Sequence, residues 1–315
     1  VPWHYLQGGL SYSINENHSI GVKYSTILTG YQHNSGWLSS NAYENATLFD
    51  ETYTSTKDRA KDKPTQRANV YYYGKLGKTI IDFNTDYYSA KPVLFTWNTE
   101  KSNASGNREV NTRSYTHNRM LASSIELTSS LPFGQLVYGA EYISTKRSDD
   151  YESENMDVVG NSSSIIKENS FSPYVEFNYD GKIGQCSLGL RYENIGYKYY
   201  EGGSYKENQS KHFNNFFPSI SFSKQNGDFA YQLEYSIKTQ RPSYSQLSNN
   251  ISYANRFLRQ SGNPLLKHQI DHVLTAALTY KFLQFSLEYK DSKNAIIYWV
   301  DQLQNNPYVS MIRFK

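Results

Sequence analysis

With a single cysteine, Cys186, in 315 residues, the chain can form no internal disulfide, and a stapled secreted scaffold is excluded. No apolar run approaches the ~18–20 residues that a membrane-crossing helix needs. Charge of one sign is also lacking. The 32 basic and 29 acidic side chains are scattered for a net +3, which leaves no electrostatic footprint for nucleic acid. No nucleophile elbow, phosphate loop, dinucleotide fingerprint or His-Glu-x-x-His occurs, and no serine sits in a context that marks activation by a base. The chain therefore reads as a non-enzyme, and no cofactor is implied. It opens at Val1 without a charged and apolar leader, and is expected to be a fragment of something longer.

What the chain has in excess is tyrosine, 30 residues, set in stretches where every second side chain is apolar or aromatic. In 228–241 one parity reads Phe229, Tyr231, Leu233, Tyr235, Ile237 and the other Ala230, Gln232, Glu234, Ser236, Lys238. A strand of that kind buries one face and wets the other. The mean hydropathy of −0.70 does not decide between water and membrane. A transmembrane β-strand needs only ~9–11 residues, half of them facing lipid.

Strand-like runs fall near 4–14, 18–29, 66–76, 78–90, 112–128, 134–147, 169–180, 184–198, 212–224, 228–240, 267–280 and 282–299, and Tyr308–Lys315 looks like the start of another. Short connections at 15–18, 74–78, 129–134, 180–184, 224–228 and 281–282 alternate with long ones near 30–65, 91–111, 148–168, 199–211, 241–266 and 300–307. In an up-and-down meander this alternation puts every tight turn at one rim, as in outer-membrane barrels with short periplasmic turns and long extracellular loops. Soluble sandwiches rarely segregate loop lengths so cleanly. The expected fold is all-β, an antiparallel up-and-down transmembrane β-barrel.

Turn chemistry agrees. Asn226-Gly227 is a strong hairpin signal and Asp180-Gly181 serves the same purpose. Pro173 and Pro218 fall inside assigned strands, and are expected near a rim or a bulge because proline removes a ladder donor. Arg113, His117 and Arg119 share a parity with Leu121, Ile125 and Leu127, so the first half of that strand must stand above the lipid. Glu141, Glu176, Arg191, Glu193, Glu234, Lys238 and Glu288 lie on the polar parity and call for a hydrated or plugged lumen.

Two motifs carry a resemblance. Arg241-Pro242-Ser243-Tyr244 ends a strand, and Gly262-Asn263-Pro264-Leu265-Leu266-Lys267 leads into the next. The pair resembles the TonB-dependent receptor-like outer-membrane β-barrel proteins common in Bacteroidetes, which usually continue Lys-Pro-Glu where this chain has Lys267-His268-Gln269. Arg67-Ala68-Asn69-Val70 before Tyr71-Tyr72-Tyr73-Gly74-Lys75 is similar to these barrels as well. The resemblance implies a barrel of about 22 strands around a plug. About 12 strands are countable here, so residues 1–315 would be one partial barrel domain, with the plug and both barrel ends absent. It further implies location in the bacterial outer membrane, contact with outer-membrane lipid, energy coupling through a TonB-type protein, a surface lipoprotein as partner, and import of a scarce siderophore, oligosaccharide or peptide. An adhesin or structural barrel without a plug, or a soluble β-rich binding protein, are the rival readings.

Candidate ligand residues come from the long loops, since loops on a rigid scaffold carry recognition. They are Trp37, Tyr43, Trp97, Tyr151, Tyr200, Tyr205, Tyr253, Arg256, Phe257 and Arg259, taken as exposed. Their rings suit stacking on sugars, peptides or aromatic chelates, or packing of one loop on another. His268 and His272 are four apart, ~13 Å on a strand, too far to share one ion. The acidic run Asp149–Glu154 lacks the ordered spacing of a calcium loop, and is read as a solvated charge run. No metal site is expected.

Overall fold

Alternating parity drives the whole chain into strand. The computed structural model describes residues 3–303 and 306–315, and contains no helix among them. Twelve strands pair antiparallel in sequence order into one curved sheet. They are β1 (Trp3–Asn15), β2 (His18–Thr29), β4 (Thr47–Leu76), β5 (Thr79–Ser102), β6 (Arg108–Leu131), β7 (Gly134–Ser153), β8 (Ser162–Gly181), β9 (Gly184–Glu201), β11 (Lys211–Asn226), β12 (Phe229–Gln240), β15 (Gln269–Tyr280) and β16 (Leu283–Lys293). β1 and β16 form its edges, and β3 (Gln32–Glu44) and β10 (Ser204–Tyr205) add to β4 and β9 above the main wall.

The expected alternation of turns is borne out. Two-residue turns at 16–17, 77–78, 132–133, 182–183, 227–228 and 281–282 all lie at one rim. Gly77 and Gly227 take φ of 59° and 58° there, where a β-carbon would be strained. At the other rim the long connections are mostly strand. Segment 30–65 is the β3–β4 hairpin, and 91–111 continues β5 and β6 around a short bend at 103–107.

The wall is inside out relative to a soluble protein. Leu188, Leu190, Phe171, Val175, Leu233, Phe285 and Leu287 are among many large apolar side chains facing outward and exposed. Asp50, Glu100, Asp149, Glu168, Glu193, Ser170, Ser172 and Ser236 are buried on the inward parity. Contact with lipid makes such an outer face favourable, at ~25 cal/mol per Å² of apolar surface removed from water.

Segments from the long-loop rim fold inward. β13 (Ile251–Asn255), β14 (Leu258–Ser261), β17 (Tyr298–Leu303) and β18 (Asn306–Phe314) form a second sheet in the order β13-β14-β18-β17, with β14 and β18 parallel. This corrects two expectations. Residues 282–299 do not form one strand, because the chain turns at Asn294, φ 56°. Tyr308–Lys315 is largely strand, but it pairs with β14 and β17 rather than extending the wall beyond β16. The connection placed near 300–307 is mostly strand too; its residues 304–305 lie outside the described residues. Apolar cores form where these segments meet the wall. Ile166, Tyr197, Tyr199, Leu247 and Leu266 make one, and Val110, Tyr151, Val159 and Tyr253 another.

Neither internal proline lies at a rim or causes a register shift. Pro173 pairs with Ala140 on β7, while the β8–β9 ladder skips from Phe171 to Tyr174. Pro218 pairs with Leu190, and the β11–β12 ladder begins only at Ser219. Each proline therefore coincides with a local break in pairing, which fits its missing N–H.

Candidate functional site

The inward hairpin 241–268 meets β5, β6 and β7 across a cleft of about 510 Å³. On the wall side, inward parity supplies Thr96 and Asn98 from β5, Thr112, Ser114 and Thr116 from β6, and Arg147, Asp149 and Tyr151 from β7. The hairpin supplies Ser245, Ser248, Asn250, Ser252, Tyr253, Gln260, Ser261 and Gly262, with Tyr298 and Phe314 closing one side. Its only ionisable charges neutralise each other. Arg147 clasps Asp149 through two hydrogen bonds, and Thr116 Oγ1 donates to Asp149 at 2.7 Å.

Two buried ionic nodes hold the hairpin. At the first, Glu100 accepts from Arg256 Nε at 2.7 Å, Arg256 N at 2.7 Å and Tyr253 OH at 2.9 Å, while Arg256 Nη2 donates to Gly106 O at 2.6 Å. Asp50 stands 3.9 Å from Arg256 Nη1, and Ser102 Oγ donates its one proton between the two Asp50 oxygens, 2.8 Å from each. Burial first, and then the Glu100 charge, raises the Tyr253 phenol well above its ordinary value, so it stays a donor. At the second node, Arg241 reaches Glu193 at 3.2 Å and Glu168 at 3.6 Å. Burial raises Glu168, opposed by Arg241 and reinforced by Glu193.

The Arg-Pro and Gly-Asn-Pro motifs meet in space. Pro242 is buried, and the turn after it packs on Gly262, where a β-carbon would run into the carbonyls of Ser245, Gln246 and Ser248. Asn263 N donates to Gln246 O at 2.6 Å and its Nδ2 to Phe314 O at 2.9 Å, while Leu265 N donates to Asn263 Oδ1 at 2.9 Å. Lys211 Nζ caps Pro264 O at 2.9 Å and Leu266 O at 2.5 Å, where burial and then Lys267 lower its pKa to about 8. Lys267 is exposed. The motif residues are thus the buckle of the inward hairpin.

Of the ten loop candidates, the structure brings only Tyr151 and Tyr253 to the cleft. These two and Arg256 are buried, which corrects the expectation that they are exposed; the inward fold of the loop turns them against the wall. Phe257 packs edge-on to Phe49 at 5.6 Å, and Arg259 is half-buried in β14. Trp37 stacks on Tyr53 at 6.0 Å and Trp97 on Phe95 at 6.1 Å, on the outer side of the wall, and Tyr43 stands exposed on β3. Tyr200 and Tyr205 pair edge-on at 5.6 Å, also outside. The acidic run splits by parity: Asp149 points inward, Asp150 accepts from Ser163, and Glu154 pairs with Arg113 at 3.1 Å. His268 stacks on Phe213 at 4.2 Å and His272 bonds Tyr235 OH at 3.0 Å, so the two face different neighbours.

The ionic wall residues Glu141, Arg191 and Glu193 were marked by parity and do pair with one another. Glu100 and Asp50 were missed because both lay in segments read as loop. Continued alternation, with Asn98 and Glu100 in step with Ala90, was the signal available.

A sheet apolar outside, polar inside and turned at one rim by tight hairpins is the wall of an outer-membrane barrel. The model of the outer membrane protein beta-barrel family matches residues 75–314, and the chain belongs to that family. Location in the outer membrane follows. Among solved structures the chain is similar to BauA, the ferric preacinetobactin receptor from Acinetobacter baumannii, at 9% identity and TM-score 0.49, covering 98% of this chain and 55% of that one. It is similar to the siderophore receptor PirA from Pseudomonas aeruginosa at 12% and 0.44, covering 99% and 56%. It is also similar to the alcaligin receptor FauA from Bordetella pertussis at 12% and 0.41, covering 99% and 54%. The chain thus spans little more than half the length of these structures. No curated protein matches it.

Proposed function

We propose that the chain is the barrel wall of a TonB-dependent outer-membrane receptor that imports a scarce ligand, and that it is not an enzyme. The reading includes a plug and an energy-coupling segment elsewhere in the full-length protein, contacting a TonB-type partner, and a surface lipoprotein at the long-loop rim. The observation that carries it is the cleft between the inward face of the wall and the inward hairpin, lined from both. Its lining of hydroxyls and amides with Tyr151, Tyr253 and Tyr298 favours a neutral, hydroxyl-rich ligand, so an oligosaccharide ranks before a siderophore or peptide. The self-neutralised Arg147–Asp149 pair offers no net charge to an ionic ligand.

The test uses the full-length protein. Calorimetric titration of the detergent-purified receptor with neutral oligosaccharides and with ferric siderophores ranks the ligand classes. Uptake of the bound ligand is then compared between cells with and without the energy-coupling protein. Binding with coupling-dependent uptake is the expected result. Binding with no uptake would favour an adhesin, and coupling-dependent uptake of charged chelates alone would overturn the ligand class.

A further inference from the structure

The outer face carries a row of cations that have no ion-pair partner among the described residues. Cross-strand register sets Lys63 on β4 opposite Lys91 on β5. It also sets Arg119 opposite Lys146, Lys146 opposite Lys167, and Lys167 opposite Lys198, across β6, β7, β8 and β9. All six side chains are exposed. None makes an ion pair among the described residues. Like charges directly opposite on neighbouring strands repel, and here they do so between β4 and β5 and again from β6 through β9, while between these two runs Arg119 faces Ser89. His117, in the same row, is held below the ordinary imidazole value by burial, then by Arg119, Lys91, Lys146 and Lys63.

Height gives the row its meaning. Lys146 stands twelve positions from Gly134, and Lys198 fourteen from Gly184, each at the tight-turn rim. At ~3.3 Å per residue and a tilt of ~40°, the row lies about 30–35 Å above that rim. That is the top of a hydrocarbon layer ~30 Å thick. Below it on the same outward parity, past Ser144, Asn169, Gly196 and Asn194, come Tyr142, Phe171 and Tyr192, then Leu190 and Leu188. The charges therefore sit at the headgroups above an aromatic girdle.

We propose that this row is a binding site for phosphate-bearing lipid headgroups of the outer leaflet, which bridge the opposed lysines and fix the depth of the barrel. Each bridging phosphate replaces a Lys–Lys repulsion with two charge-assisted contacts. Lys167 also lies over the Tyr200 ring at 4.9 Å, which orients one ammonium at the membrane surface.

The test places the full-length protein in phosphatidylcholine nanodiscs and follows its thermal midpoint as phosphatidic acid is added. The wild type is expected to rise in midpoint. In the triple variant Lys146→Gln, Lys167→Gln, Lys198→Gln, the phosphatidic acid fraction giving half the rise should increase at least tenfold, since each lysine lost at a charged surface weakens binding roughly fivefold. A control variant at the tight-turn rim, Lys75→Gln, Lys78→Gln, Lys182→Gln, should respond as the wild type does. Midpoints in plain phosphatidylcholine no lower than that of the wild type show that the variants fold. The proposal is overturned if the wild type shows no rise, if the triple variant responds like the wild type, or if the control loses the response equally. It is overturned too if inorganic phosphate alone reproduces the rise.

Discussion

Replacing Arg256 with methionine should release the inward hairpin without unfolding the wall. In the native structure the Arg256 and Glu100 side chains are 6% and 0% exposed, and their bond of 2.7 Å is the centre of the first node. Removing one partner of a buried pair costs about 3–5 kcal/mol, because the other charge is left in a medium of low polarisability. Glu100 would keep Arg256 N and Tyr253 OH as donors, which places the cost toward the lower bound. Protease cleavage within 241–268 measures it, because cleavage of a transiently opened segment follows the opening equilibrium when reclosing is fast. A loss of about 3 kcal/mol raises the cleavage rate roughly 150-fold. Glu100→Gln should raise it less, since the amide preserves the shape and accepts one bond. The double variant Arg256→Met, Glu100→Leu should recover most of the protection, as apolar replacement of a buried pair often does. Unchanged cleavage in Arg256→Met, or a double variant worse than the sum of its parts, would refute the node as the hairpin's anchor.

Other consequences are separable. Gly262→Ala should destabilise the same hairpin by about 1–3 kcal/mol through overpacking against three carbonyls, read by the same cleavage assay. Leu190→Arg, six positions above the tight-turn rim on the outward face, should cost about 2–4 kcal/mol of stability in lipid; a neutral effect in reversible unfolding would contradict the lipid-facing parity. His268, stacked on Phe213, is lowered to about 4 by burial first and then by Arg241 and Lys211. The unfolded imidazole takes up its proton near pH 6.5 and the folded one only near 4, so stability falls with pH across that window, by at most about 3 kcal/mol. His268→Phe should flatten that part of the pH–stability curve. Tyr151→Ala should weaken binding of a neutral oligosaccharide by about 1–2 kcal/mol in calorimetry while leaving barrel insertion intact.

The staves were legible because lipid sharpens the contrast between the two faces of a strand. In β12, Phe229, Tyr231 and Leu233 are exposed outward while Ser236 is buried inward, as their alternation implies. Above the lipid that contrast disappears. Thr47–Thr65 carries polar groups on both parities, so period two is present without a hydrophobic signal, and the segment reads as loop although it is strand. The second sheet was hidden for another reason. Its parallel pairing of Leu258–Ser261 with Ser310–Arg313 joins segments about fifty residues apart, and no local pattern encodes such a contact. The cleft was half legible: Tyr151, Tyr253 and Gly262 were marked, the hydroxyl lining was not. Serine and threonine are abundant in any such chain and become informative only once parity says which of them point inward.

The irregularity in the pairing of β4 with β5 joins the outer cationic row to the inner site. Between Lys63 and Gln66 the register with β5 shifts, Lys63 facing Lys91 and Gln66 facing Ser89. The extra residue lies at Pro64-Thr65, where a proline costs least because the ladder is already interrupted. Below it the outward parity is even, with Val70 and Tyr72; above it the outward parity is odd, with Lys57, Arg59, Lys61 and Lys63, while Asp50, Thr52 and Thr54 turn inward toward Glu100 and Arg256. Without the bulge every one of these side chains would change faces. Four cations would enter the lumen beside Arg256, and Asp50 would be lost from the node. Deleting Thr65 should therefore abolish hairpin protection and lipid selectivity together, whereas any substitution on one face should affect only one of them. A deletion that spared either property would mean that the two faces are not set by this bulge.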